Sequence, residues 1–215
     1  MKKGIIFDLD GTLWDSAQAV VDSWNEVIGS LPDFHRRITV EDMESLMGKT
    51  MNDIAFAYFD TVSRERALEI LQSCMDYENA YLEKVGGILY PQLEQVLADL
   101  SEDYFLAIVS NCQSGYIEAF LKYHKLEQYF DDIECFGNTK QEKDANIRTV
   151  VERNHLEKAV YVGDVMGDYL STTKAGLPFI WAQYGFGDVP QADYRIENLT
   201  QLREMVAEVF KDFAD

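Results

Sequence analysis

The sequence predicts an α/β fold, a parallel sheet covered by helices on both faces and interrupted early by an all-helical insert. Three observations predict it: four short apolar runs, helical stripes between the later runs, and a long stretch after the first run with no strand-like segment. A strand of a parallel sheet is buried on both faces and so reads as an unbroken apolar run rather than an alternating one.

The first run is Gly4 to Phe7. The insert follows, about 65 residues long, and carries successive helical stripes. Ala17, Val20, Val21, Trp24, Val27 and Ile28 share one helical face, and Ala67, Leu68, Leu71 and Met75 share another. Between them Asn52 to Phe59 fits a shorter helix with Asn52 as N-cap. Links to the sheet are expected near Asp15 to Ala17 and through Val85-Gly86-Gly87, where paired glycines suit a turn. Residues 1–16 and 85–215 would then form the sheet domain and 17–84 the insert.

The return to the sheet begins with the stripe Leu93, Val96, Leu97 and Leu100, then the run Phe105 to Val109 and a weaker one at Ile133 to Phe136. Ile147, Val150 and Val151 begin a helix, followed by the runs Ala159 to Val162 and Pro178 to Trp181. Leu199, Leu202, Met205, Val206, Val209, Phe210 and Phe213 make a closing amphipathic helix.

Composition narrows the function. With 215 residues and 47% hydrophobic content the chain can bury a full core. Its 38 acidic against 19 basic residues, a formal net charge of −19, disfavour nucleic acid and anionic membranes as partners. The N-terminal run meets an acid before a signal-peptide core could form, and no stretch is long enough to span a bilayer, so a cytoplasmic protein is expected. Cys74, Cys112 and Cys135 are odd in number and far apart, and His35, His124 and His155 show no ligand spacing. Neither a disulfide framework nor a zinc site is implied.

In an open parallel sheet the ligand site lies at the carboxyl ends of the strands. The residues there are Asp8 and Asp10 after the first run, Ser110 and Asn111 after the second, and Asp164, with Asp168 beyond it, after "AVYVG". Carboxylate oxygens in this number suit Mg²⁺. Asp8 and Asp10 stand two apart, and Gly11 lets the backbone turn away directly after. A carboxylate can attack phosphorus when a cation neutralises the phosphoryl oxygens, which suits Asp8. A neighbouring acid that protonates the leaving oxygen suits Asp10, and Ser110 with a lysine would hold the phosphoryl group.

"DLDGT" after the first strand, "IVSN" after the second, a lysine further on and "GDVMGD" after a fourth resemble the four signature motifs of the haloacid dehalogenase superfamily, in its phosphatase branch. The resemblance spans nearly the whole chain in the right order. It implies a Rossmann-like core, an α-helical cap inserted after the first motif, and Mg²⁺-dependent hydrolysis of a small phosphate monoester through an aspartyl-phosphate. By resemblance Asp8 is nucleophile and metal ligand, while Asp10 is acid/base and binds metal through its main-chain carbonyl. Ser110 and Asn111 fall at the phosphate motif, Asp164 at the acidic metal ligand and Asp168 at the second acid, with Gly11 and Thr12 supporting. Of Lys140 and Lys143, the second immediately precedes a helix as the family lysine does, although the "KP" pair of many phosphoglycolate-phosphatase-like members is missing.

Met47 to Thr50, "MGKT", reads either as a turn and helix start or, by resemblance to related caps, as a substrate-facing loop, which brings in Gly48 and Lys49. Trp14, Trp24 and Phe56 read as packing residues, Tyr184 to Gly187 as a loop beside the site, and Asp168 also as a helix N-terminal acid. Two other functions stand beside hydrolysis: a phosphosugar mutase of the same family, against which "DGT" weighs, and a catalytically quiet binding protein. Dehalogenase and phosphonate-cleaving activities are disfavoured because Asp10 is present. A monomer or weak homodimer acting on a small phosphorylated molecule is expected.

Overall fold

The computed structural model describes residues 2–212. Its main sheet has six parallel strands: β1 (Lys3–Phe7), β4 (Phe105–Ser110), β5 (Asp132–Cys135), β6 (Lys158–Gly163), β7 (Phe179–Ala182) and β8 (Tyr194–Ile196). A separate two-residue antiparallel ribbon joins β2 (Trp14–Asp15) to β3 (Ile88–Leu89). In the main sheet the order is β5-β4-β1-β6-β7-β8. The chain thus winds outward from β1 to β5, crosses back, and winds the other way from β6. That reversal opens a crevice beyond the end of β1.

The apolar runs are continuous because alternate residues feed two different cores. Ile5, Phe7, Leu106, Ile108, Val160, Val162 and Ile180 face one side, packed with α5 (Leu93–Ser101) and α10 (Leu202–Asp212). Ile6, Ala107, Val109, Tyr161 and Trp181 face the other, against α8 (Lys143–Arg153) and α9 (Met166–Ala175). Two further helices complete this part, α6 (Tyr116–His124) and the short α7 (Phe136–Thr139).

The insert is helical throughout: α1 (Ala17–Gly29), α2 (Val40–Leu46), α3 (Met51–Tyr58) and the long α4 (Arg64–Val85). Trp24 stacks on Phe59, and Phe34 meets Phe59 edge-on at 5.0 Å between ring centroids. The β2–β3 ribbon ties both ends of the insert together, and α4 packs on α6. Among the described residues no helix is long and apolar enough to cross a membrane.

Several expectations are corrected. Thr50, not Asn52, caps α3, its hydroxyl accepting from the Asp53 amide; Asn52 already lies inside the first turn. Leu68 is exposed, and the buried stripe of α4 runs Ala67, Ile70, Leu71, Cys74, Glu78 and Leu82. Strand β8 has a single fully buried residue, Ile196, so it carries no apolar run to read. The closing helix starts with a 3₁₀ turn at Leu199–Gln201, and Phe213 lies outside the described residues.

Candidate active site

β1 ends at Phe7, and the Asp8 amide still donates to the Val162 carbonyl of β6 at 2.8 Å. The ladder therefore delivers the Asp8 side chain into the crevice. There Lys143, the first residue of α8, donates to Asp8 Oδ1 at 2.8 Å and to Asp168 Oδ1 at 2.5 Å. All three side chains are at most 4% exposed. Burial pulls the Lys143 ammonium down, but Asp168 and Asp8 outweigh it and hold its pKa well above the usual value. Lys140 is not drawn in: its ammonium donates to the Gly137 carbonyl at 2.7 Å on the exposed side of α7.

Asp164, just past β6, completes the group. Carboxylate oxygens of Asp8, Asp164 and Asp168 lie within 4.8 Å of one another. Burial and the neighbouring Asp168 push Asp8 up to about 7, and burial with Asp168 and Asp8 pushes Asp164 well above the carboxylate range. A cluster of this kind, all oxygen and short of positive charge, fits a hard divalent cation such as Mg²⁺. Asp168 has a second task, accepting the Asp164 and Val165 amides on Oδ2 at 3.2 Å and so capping α9.

Asp10 is turned elsewhere. Its Oδ1 accepts from Trp14 Nε1 at 2.9 Å, Ser16 Oγ at 2.5 Å and Tyr116 OH at 2.8 Å. Burial raises its pKa, and the hydrogen bonds from Ser16, Tyr116 and Trp14 pull it back. The two aspartates of one short motif thus face opposite surroundings. Directly after Asp10 the chain turns at Gly11, whose φ of +79° favours glycine and where a Cβ would lie 2.0 Å from Asp164 Oδ2.

Trp14, expected only to pack, is both packed and a donor. Tyr116, Ser16 and Tyr161 were not legible as site residues; Tyr161 lies beside Asp8 and donates to the Val109 carbonyl at 2.7 Å. The Tyr184 to Gly187 loop holds Asp164 in place, the Phe186 amide donating to Asp164 Oδ2 at 2.7 Å and Tyr184 OH to the Thr12 carbonyl at 2.9 Å. Thr12 Oγ1 reaches Asp164 Oδ1 at 3.4 Å.

A cavity lies between the sheet edge and the insert. Asp8, Asp10, Ser110 and Asn111 line it from the sheet side. From the insert come Trp24, Met43, Met51, Ile54, Glu78 and the Gly48-Lys49 loop. Asn111 Nδ2 donates to the Gly48 carbonyl at 2.9 Å, and Gln113 Nε2 donates to Glu78 Oε1 at 3.0 Å, so the insert is hydrogen-bonded down onto the site. Gly48 has a φ of +79°, and a Cβ there would meet Val165 at 2.8 Å. Glu78 had one legible signal, a carboxylate in step with the apolar stripe of α4.

Fold and site define a class: parallel-sheet enzymes that work with buried aspartates and a lysine at the strand ends, beneath a helical cover. The chain belongs to the haloacid dehalogenase-like hydrolase family, whose model matches residues 5–182. It is 29% identical over 202 residues to a phosphoglycolate phosphatase of Agrobacterium fabrum, covering 87% of this chain and 83% of that one. A phosphoglycolate phosphatase of Vibrio parahaemolyticus is 24% identical over 222 residues, covering 95% and 96%. The solved structure of a protein described as a predicted phosphatase, from Clostridium acetobutylicum, superposes with a TM-score of 0.79 at 24% identity, over 97% of this chain and 99% of that one.

Proposed function

We propose that the protein is a Mg²⁺-dependent phosphatase that hydrolyses a small phosphate monoester through an aspartyl-phosphate on Asp8. The observation that carries this reading is the division of two adjacent carboxylates. Asp8 shares a lysine and a cation-seeking cluster, whereas Asp10 sits among neutral donors where it can hold or release a proton. Residues 17–84 act as a cap over a core formed by 1–16 and 85–215.

When bound, the cation would be held by Asp8, Asp164 and the Asp10 main-chain carbonyl, and would neutralise phosphoryl oxygens during transfer. Lys143 and Ser110 hold the phosphoryl group. An Asp8 oxygen forms a bond to phosphorus while the ester P–O bond breaks, and Asp10 gives its proton to the departing alkoxide. Asp10, now a carboxylate, takes a proton from water as that oxygen attacks phosphorus. The bond to Asp8 breaks and inorganic phosphate leaves. Trp14, Ser16 and Tyr116 keep Asp10 in place throughout.

Phosphate release from a panel of monoesters tests this, with Mg²⁺ and again with excess chelator. Release that depends on Mg²⁺ is expected. Release indifferent to chelation, or a sugar phosphate isomerised faster than phosphate appears, would sink the reading.

Thermal unfolding gives an independent check. At about a hundredfold excess over its dissociation constant Mg²⁺ should contribute about 2.7 kcal/mol, raising Tm by about 5–10 °C in a chain of this size. Asp8 and Asp164 bind protons more tightly folded than unfolded, so the metal-free protein loses stability as pH rises toward about 7. Protons also compete with the cation for these oxygens. The Mg²⁺-induced shift should therefore be larger at about pH 8 than at about pH 6; the opposite order would contradict the proposed ligands.

A further inference from the structure

The cavity is unlike a receptor for an anionic leaving group. Glu78 is a buried carboxylate on its cap wall, 3% exposed, with Oε1 accepting from Gln113 and Oε2 from Trp24 Nε1. Both oxygens therefore act as acceptors. Asn111 Oδ1, on the core side, is buried with no hydrogen-bond partner. Beside the Gly48-Lys49 loop, the rest of the cap wall is Val20, Trp24, methionines and Ile54. Among the described residues lining the cavity the one cation is Lys49, which is exposed and donates to the Ser45 carbonyl at 2.5 Å.

From this arrangement we infer that the leaving group is an uncharged or cationic alcohol carrying a hydrogen-bond donor for Glu78 and Asn111, and that a carboxylate-bearing alcohol such as glycolate is selected against. The inference rests on the phosphatase reading, which puts the phosphoryl group at Asp8 and leaves the Glu78 wall to the rest of the substrate. A hydroxyl or ammonium entering there meets two acceptors, one of them otherwise unpartnered. A carboxylate would lose its water and face Glu78 and Asp10, with no buried cation among the described residues that line the cavity to receive it. Burial already pushes Glu78 up to about 7, which marks how little positive charge surrounds it.

The test compares 2-hydroxyethyl phosphate with 2-phosphoglycolate, a pair that differs only in a hydroxymethyl or a carboxylate at the far end. With saturating Mg²⁺, kcat/KM should be at least about tenfold higher for the hydroxyethyl ester, a difference of about 1.4 kcal/mol. In Glu78→Gln, which keeps the shape and removes the charge, the ratio should fall toward one. A native-like melt shows that this variant is folded, and the parent comparison stands without it. Equal rates or a preference for phosphoglycolate in the parent would overturn the inference and make Lys49 the carboxylate receptor. If no ester, p-nitrophenyl phosphate included, releases phosphate, the phosphatase reading fails by itself. Calorimetric binding of the same two esters to the Mg²⁺-loaded Asp8→Asn protein then decides, and tighter or equal binding of phosphoglycolate, or binding of neither, counts against the inference.

Discussion

Asp8→Asn should lower Mg²⁺-dependent phosphate release by at least about 10⁴-fold while leaving the protein folded. The amide keeps the shape of the side chain and an oxygen that can accept from Lys143, but it has no nucleophilic carboxylate to bond to phosphorus. Stability should move in a telling direction. Burial and Asp168 raise Asp8 from 3.8 to about 7 in the metal-free protein, so the parent loses stability as pH climbs through that window. An asparagine does not titrate. Urea unfolding of the metal-free proteins should show the variant gaining on the parent between about pH 5 and about pH 8. An active variant would refute the nucleophile, and a gap that narrowed with pH would refute the crowded, buried setting of Asp8.

The sheet was legible because burial on both faces leaves an unmistakable trace. Gly4 to Phe7, Phe105 to Val109, Ala159 to Val162 and Pro178 to Trp181 all lie on or against strands within a residue or two. β8 and the β2–β3 ribbon left no such trace: three residues with one buried side chain, or two-residue strands, are shorter than any periodicity. The cap stripe of α4 was misread at Leu68 because an apolar residue at helical spacing can still face water, whereas Cys74 and Glu78 hold the inner face. The cap of α3 was misplaced because Thr50 and Asn52 are both capping residues, and only the backbone of Thr50 is extended.

The site divides along the same line. Residues that end strands could be found from the chain, since topology alone sends Asp8, Ser110 and Asp164 to one edge. Of the residues that hold Asp10, Trp14 and Ser16 lie four and six positions on, just before α1, whereas Tyr116 begins α6 far along the chain. Nothing in the neighbourhood of Tyr116 announces a partner 106 residues away. Glu78 and Lys143 were intermediate cases. A carboxylate in an apolar stripe conflicts with local preference, as does a lysine in the first turn of a helix, where the macrodipole favours an acid. Such local conflicts are where function overrides folding preference.

Lys143→Met follows from that conflict. The methionine can fill the space of the lysine stem, but it leaves Asp8, Asp164 and Asp168 buried within 4.8 Å of one another without their ammonium. Removing one partner of a buried ion pair costs about 3–5 kcal/mol, and the metal-free variant should be destabilised by that amount near neutral pH. The lysine holds its charge across neutral pH, so the pH dependence of the difference comes from the carboxylates. Without the ammonium they bind protons still more tightly in the folded state, and the stability gap between variant and parent should widen from about pH 5 to about pH 8. Mg²⁺ should narrow the gap by returning positive charge to the cluster. Activity should not return with it, because in the proposed mechanism Ser110 is left to hold the phosphoryl oxygens without the ammonium of Lys143. Arginine should not substitute either, since its planar fork cannot occupy the point contact between Asp8 and Asp168. Denaturation curves and phosphate release measured on the same samples separate these roles. Restored activity on adding Mg²⁺ would reduce Lys143 to a counter-ion, and an undestabilised metal-free variant would mean that the carboxylates do not share its charge.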